Sequence, residues 1–245
     1  MSDEPTVTEA LSDRRAKIFR TTPVGVAVYP HLLEHDQYQL DKNGVYQCNT
    51  KLLLDPAAPT VKDFLDDLNS MIDEAFEAGK AQLKKDWEKA SGDKKAKIKK
   101  TKDELQRHTP FDDEVDEDGE PTGKILLKMK SVVRGKDAKS GKEWHREIPI
   151  FDSANGQIKG EDRDSLKLWG GSKIAVAAQV VPYVAEGLKL AGCSLRINAV
   201  QVIEVAGADR SAQQYGFGQH EGYLSDSDSE TEEVVDDSNT EDEEF

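Results

Sequence analysis

Lys124-Ile125-Leu126-Leu127-Lys128-Met129-Lys130-Ser131-Val132-Val133 is the stretch on which the fold turns. Side chains of a β-strand point to opposite faces in alternation. On that period Lys128 and Lys130 share one face, and Leu127 and Met129 share the other. The segment therefore reads as a strand with one dry and one wet side. Asp137-Ala138-Lys139-Ser140-Gly141 follows as a turn, and Glu143 to Phe151 reads as the return strand of a hairpin. Trp169-Gly170-Gly171-Ser172 breaks the chain again. Two long Val/Ile/Ala-rich runs come next, Lys173–Val184 and Ser194–Val205, separated by Glu186-Gly187 and Ala191-Gly192. They predict a second hairpin.

Upstream, Lys17–Arg20 and Val24–Tyr29 read as short strands around Pro23. Asp41-Lys42-Asn43-Gly44 reads as a turn into Val45–Leu52, whose alternation is partial. The clearest single element is helical and covers about residues 60–90. Val61, Phe64, Leu65, Leu68, Ile72, Ala75, Phe76, Leu83 and Trp87 recur at three- and four-residue spacing as one apolar stripe. Thr60 and Asp63 resemble a capping box at its start. Beyond Trp87 come Lys89, Lys94, Lys95, Lys97, Lys99, Lys100, Lys102 and Arg107. This basic run reads as a solvated, frayed extension of the helix, with DNA contact as the alternative. Five or six strands, one long helix and turns every ten residues or so predict a mainly β, α+β chain. A five-stranded OB-fold barrel with an inserted helix is the best match in size.

Charge decides the class of partner. The chain of 245 residues carries a net −15, which taken whole argues against nucleic acid. The distribution reverses that reading. Residues 225–245 hold eleven acids and no base, and another seven acids lie between Asp112 and Glu120, which reads as an acidic loop. From Pro121 to Val205 there are fourteen Lys/Arg against nine Asp/Glu, so this part of the body is mildly basic and the acid is confined to segments. The expected layout is a flexible N-terminus (1–15), a folded domain (16–210), a Gly-containing linker (211–224) and a disordered acidic tail (225–245). Disorder of the tail is expected because eleven acids with few apolar residues cannot offset the entropy of ordering.

Other chemistries find little support. Cys48 and Cys193 form no disulfide framework and lack metal-ligand spacing. No apolar run suggests a signal peptide or a membrane span, so an intracellular protein without membrane contact is expected. His31-Leu32-Leu33-Glu34-His35 matches a zinc-peptidase pattern, which requires both imidazoles one turn apart on a helix. The peptide follows Pro30 and precedes a polar stretch, so no such helix is expected. Glu114–Gly119 imitates the start of an EF-hand loop, but the twelfth position of that frame is Ile125, not Glu. Trp169-Gly170-Gly171-Ser172-Lys173 lacks P-loop spacing. No enzyme, cofactor or metal is expected.

Binding single-stranded DNA without sequence preference takes cations along the backbone and flat side chains for the bases. The second half of the chain interleaves both. Lys128, Lys130, Arg134, Lys136, Trp144, Arg146, Lys173 and Tyr183 are the candidate contacts. Core or rim packing is the favoured reading of Trp144 and Tyr183 taken alone, with a stacking platform as the alternative, and Lys alternation marks any half-buried strand.

A resemblance to a known family adds weight. Gly170-Gly171-Ser172-Lys173 running into Val181-Pro182-Tyr183 resembles a strand of the replicative single-stranded DNA-binding proteins of short-tailed phages (podoviruses). The order of parts is also similar: Asn43-Gly44-Val45-Tyr46, a long helix, Thr109-Pro110-Phe111 with an acidic run, Lys124–Val133, and a Lys-rich hairpin ending Ile148–Asp152. An acidic tail ending in Phe245 completes it. The resemblance implies an OB barrel that coats single-stranded DNA and aids annealing in phage replication, recombination and repair. It implies a homodimer in the cytoplasm of an infected bacterium. It also implies contacts to the replicative DNA polymerase and helicase–primase through Asp236, Asp237, Glu241, Asp242, Glu243, Glu244 and Phe245. The family's basic residue beside the Gly44-Val45-Tyr46 turn is Asn43 here, so no DNA contact is assigned to that position. The competing class is an acidic-tailed chaperone or interaction protein for basic partners. Ser225–Glu230 even resembles an acidophilic kinase site.

Overall fold

Alternating burial along five strands builds the body of the protein. A computed structural model describes residues 4–13, 15–137 and 139–207. The elements run α1 (Val7–Ser12), β1 (Ile18–Thr21), β2 (Gly25–His31), α2 (Gln37–Asn43), β3 (Tyr46–Leu54), α3 (Pro59–Lys89) and α4 (Gly92–Asp103). They continue β4 (Gln106–His108), β5 (Phe111–Val115), β6 (Pro121–Lys136), β7 (Glu143–His145), β8 (Ile150–Phe151), β9 (Gln157–Ile158), α5 (Glu161–Ser165), β10 (Lys173–Ala185) and β11 (Leu190–Glu204).

Strands β2, β3, β6, β11 and β10 pair in that order, and β10 pairs back onto β2, so the ring closes. The closing contact between β6 and β11 is parallel and the other pairings of the ring are antiparallel. This is the five-stranded OB-type arrangement expected from the sequence, with the long helix inserted between the second and third strands of the ring. Cys48, Thr50, Leu52 and Leu54 of β3 and Ile125, Leu127, Met129 and Val133 of β6 point inward. Ile174, Val176, Ile197 and Val200 complete the interior from β10 and β11.

Helix α3 begins with Pro59 at its first turn, where a missing N–H costs nothing. Its N-cap is Ala58, without a side-chain cap, so the Thr60–Asp63 box is not used. The buried stripe is Val61, Leu68, Met71, Ile72, Ala75, Gly79 and Leu83. Two ion pairs pin the helix to the sheet: Arg20 to Asp67 at 2.6 Å, and Arg107 to Asp73 at 2.6 Å.

Four local readings change. Asp41–Gly44 is the end of helix α2, not a free turn: the Asp36 carboxylate caps its start by accepting from the Gln39 amide. Gly44 ends it at φ +65°, a left-handed position natural to glycine. No residue of α2 is fully buried, so it left no apolar period to read. The acidic run is a hairpin arm instead of a loop. Its strand β5 pairs with β6, and Asp116 turns the chain by accepting from the Asp118 and Glu120 amides. The return strand 143–151 is interrupted: β7 pairs with β6, whereas β8 pairs with β11, with Pro149 between them. The basic run forms a separate helix, α4, reached through Gly92 at φ +56°.

Candidate nucleic-acid interface

The wet face of the ring is where the cations gather. In register, Lys51 of β3 lies beside Lys128 of β6, and Asn49 lies beside Lys130. Across the parallel contact Lys130 lies beside Arg196 of β11. All of these alternate with buried neighbours and so point outward. A cleft of about 710 Å³ opens over this floor and is lined by Lys51, Lys128 and Lys130 together with Tyr29, His31, Tyr38 and His108.

One wall of the cleft is aromatic. Tyr29 holds φ at +49°, rare for a side-chain-bearing residue, at an irregularity between Val28 and His31 in the β2–β3 pairing. Such a bulge re-aims a side chain, and Tyr29 is 75% exposed. Tyr38 projects from α2 and is 63% exposed, with the Lys42 ammonium 5.5 Å from its ring centre. Helix α2 is held against the floor by Asp36, whose carboxylate accepts from Asn49 Nδ2 at 2.6 Å. Burial pushes that carboxyl up, but the hydrogen bonds from Asn49 and the Gln39 amide outweigh it and hold it below its ordinary value. Asp36 therefore stays ionised and the wall stays docked.

The opposite wall is His108 of β4. Its Nδ1 lies 2.7 Å from the Tyr183 hydroxyl of β10, with the rings 5.8 Å apart and tilted. Gly192 permits this closeness: a Cβ there would sit 2.1 Å from the His108 carbonyl oxygen. Burial, and secondarily the nearby Cys193, raises the Tyr183 hydroxyl's pKa, so the phenol stays neutral and hydrogen-bonding.

The structure sorts the candidate residues into groups. Lys128 and Lys130 line the cleft. Tyr183 supports its far wall through His108. Arg134, Lys136 and Trp144 lie farther along β6 and β7. Arg134 stacks 5.0 Å over Tyr46 and reaches Glu143 at 3.4 Å, and Lys136 reaches Glu143 at the same distance. Trp144 lies across Gly135 and is 41% exposed. Arg146 turns to β11 and donates to the Ile197 and Asn198 carbonyls and to Asn198 Oδ1. Lys173, at the start of β10, pairs with Glu204 at 2.6 Å. Sequence reasoning missed Lys51, Arg196, Tyr29 and Tyr38. Strand register places Lys51 beside Lys128 and Arg196 beside Lys130, the bulge exposes Tyr29, and the docking of α2 brings in Tyr38; none of these is written in a local pattern. The tail residues Asp236 to Phe245 lie outside the described residues.

The zinc-like pentapeptide leaves the end of β2 as irregular chain, not a helix. Among the described residues no cluster of His, Cys, Asp and Glu has the makings of a metal site. Cys48 and Cys193 are buried, which pushes their thiols up to about 11 and about 12. No helix among the described residues is long and apolar enough to cross a membrane.

The family model for the single-stranded DNA-binding protein of bacteriophage T7 matches residues 26–205, well over half of the chain. The chain belongs to that family. This phage family is non-enzymatic in kind, and single-stranded DNA is the ligand its description names. No curated protein sequence matches the chain significantly. Among solved structures, gp2.5 of bacteriophage T7, a single-stranded DNA-binding protein, aligns with a TM-score of 0.59 at 20% identity, over 86% of this chain and all of that one. The single-stranded DNA-binding protein of bacteriophage Enc34, solved with single-stranded DNA, aligns with a TM-score of 0.46 at 11% identity, over 77% and 88% of the two chains. The T7 alignment is a likeness of fold, and the family member's own cleft carries the case for its ligand.

Proposed function

We propose that this chain coats single-stranded DNA during phage replication, with the backbone running over Lys51, Lys128, Lys130 and Arg196 and bases stacking on Tyr29 and Tyr38. The observation that carries this is the cleft itself, a cationic floor beside two exposed tyrosines. Charge follows a phosphate backbone and rings accept any base, so such a site is indifferent to sequence. Arg134 and Lys136 continue the outward face of β6, and with Trp144 of the paired β7 they extend the contact, with Lys173 and Arg146 at its margins.

Coating removes intrastrand structure, and in doing so aids annealing of complementary strands. The acidic tail, ending in Phe245, imitates a short single strand: anions plus one ring. At ~3.3–3.6 Å per residue its twenty-one residues reach at most about 70–75 Å, enough to return to the cleft of its own chain or of a homodimer mate. DNA displaces it, and the freed Asp236, Asp237, Glu241, Asp242, Glu243, Glu244 and Phe245 recruit the DNA polymerase and helicase–primase. The setting is the cytoplasm of an infected bacterium.

The test is anisotropy of labelled oligo-dT titrated with the full chain across a range of salt. Binding that weakens steeply with salt supports the reading, because phosphate contacts release counterions. Absence of binding at low salt, alongside capture of basic proteins, would transfer the chain to the class of acidic chaperones.

A further inference from the structure

Helix α4 carries a positive surface and leads directly into β4, the strand that ends at the cleft. Its sequence, Gly92–Asp103, contains six lysines and two aspartates. Its attachment is fixed: Ile98 and Thr101 are buried, and Lys95 and Lys102 lie over the Trp87 ring at 4.4 and 5.5 Å. The helix is thus docked in one orientation, not frayed. Lys94, Lys97, Lys99 and Lys100 remain exposed. Among the described residues the only ion pair made by an α4 lysine is Lys102 with Asp103, at 3.9 Å.

Location turns this charge into a site. After α4 the chain enters β4 within three residues, and β4 ends in His108, the far wall of the cleft. Glu104 and Lys189 pair at this junction and fix α4's end to the β10–β11 turn. The ring of Trp87, on which the helix rests, already has the Lys95 and Lys102 ammoniums beside it. The exposed part of the helix offers cations, the chemistry that meets phosphates.

We propose that α4 binds the sugar-phosphate backbone of DNA that has passed His108, so that the contact continues beyond the cleft. This rests on the cleft being the single-stranded DNA site. The DNA on α4 is either the continuation of the coated strand or a second strand about to pair with it; the chemistry of recognition is the same. Lys94, Lys97 and Lys100 follow each other at one-turn spacing, with a rise of roughly 4.5 Å per step, a ladder for successive phosphates.

The test uses the full chain with Lys94→Gln, Lys97→Gln, Lys99→Gln and Lys100→Gln combined, beside the matching Lys→Arg variant. Binding is measured to dT oligomers of about six and about twenty nucleotides, one near the short end of the range of OB-fold sites and one beyond its long end. Annealing of two complementary strands is followed in parallel. The Gln variant should bind the short oligomer normally and lose affinity for the long one. Its salt slope on the long oligomer should shrink by about 2–3, near 0.7 for each lost phosphate contact, and the Arg variant should behave as the parent. Loss on long dT assigns the same strand. Normal dT binding with slowed annealing assigns a second strand. Equal loss on both lengths, no change in any readout, or failure of the Arg variant to rescue overturns the proposal. So does unchanged DNA binding with weakened binding of a labelled peptide of residues 225–245, which would give α4 to the tail. If the parent itself does not bind dT, the reading of the cleft fails instead.

Discussion

Lys128 and Asp112 meet as an ion pair across the β5–β6 pairing, whereas Lys130, on the same face of the same strand, has no carboxylate partner among the described residues. A carboxylate at that position competes with phosphate for Lys128. Asp112→Asn should therefore tighten oligo-dT binding and steepen its salt dependence by about 0.7, one phosphate contact. Lys130→Ala should do the opposite by a similar amount. Titrations at several salt concentrations check both, and equal slopes in the two variants would dissociate Asp112 from the DNA track.

Tyr29 and Tyr38 should contribute stacking, not charge. Replacing either by Ala should cost about 1–3 kcal/mol of binding while leaving the salt slope unchanged, and Phe should restore most of it. None of Trp87, Trp144 and Trp169 lines the cleft. Trp144→Phe, tested beside them, measures how far contact extends along β6 and β7; a loss matching that of Tyr38→Ala would carry the stacking track to the hairpin.

Removing residues 225–245 should tighten DNA binding at low salt and weaken association with replication partners. Phe245→Ala keeps every charge of the tail and should impair partner binding alone. Unchanged DNA affinity after the deletion would remove the competitive role of the tail.

Gly192→Ala should destabilise by about 1–3 kcal/mol, the usual cost of overpacking, because the added Cβ meets the His108 carbonyl instead of a flexible side chain. The expected readout is a lowered Tm together with weakened dT binding, since β4 carries the far wall. A normal Tm would mean that β4 yields freely.

Much of this architecture is legible in the sequence because it is written locally. Alternation around Leu127 and Met129 marks β6, and the three- and four-residue recurrence through Leu68 and Ile72 marks α3. Lys128 and Lys130 could be placed on the wet face for the same reason. What escaped is set by pairing at a distance. Arg196 joins Lys130 only through the register of the parallel contact, and Lys51 joins Lys128 only through that of β3. Helix α2 rests on one cap at Asp36 and one left-handed glycine, with no fully buried side chain to announce it. Arg146 alternates like a surface cation, yet one nitrogen of its guanidinium donates to main-chain carbonyls of β11, a partner set by the fold and not by local sequence.

The ring of strands closes between β6 and β11 over two register pairs, Met129 with Leu195 and Lys130 with Arg196. The join is as short as that of β10 with β2, and its second pair places both of its cations on the outer surface. A polyanion laid across them draws the two strands together from outside, as a stitch holds a seam. Loading at that seam and closure of the ring would then reinforce one another, so that the outer face which receives the strand also helps to hold the fold together.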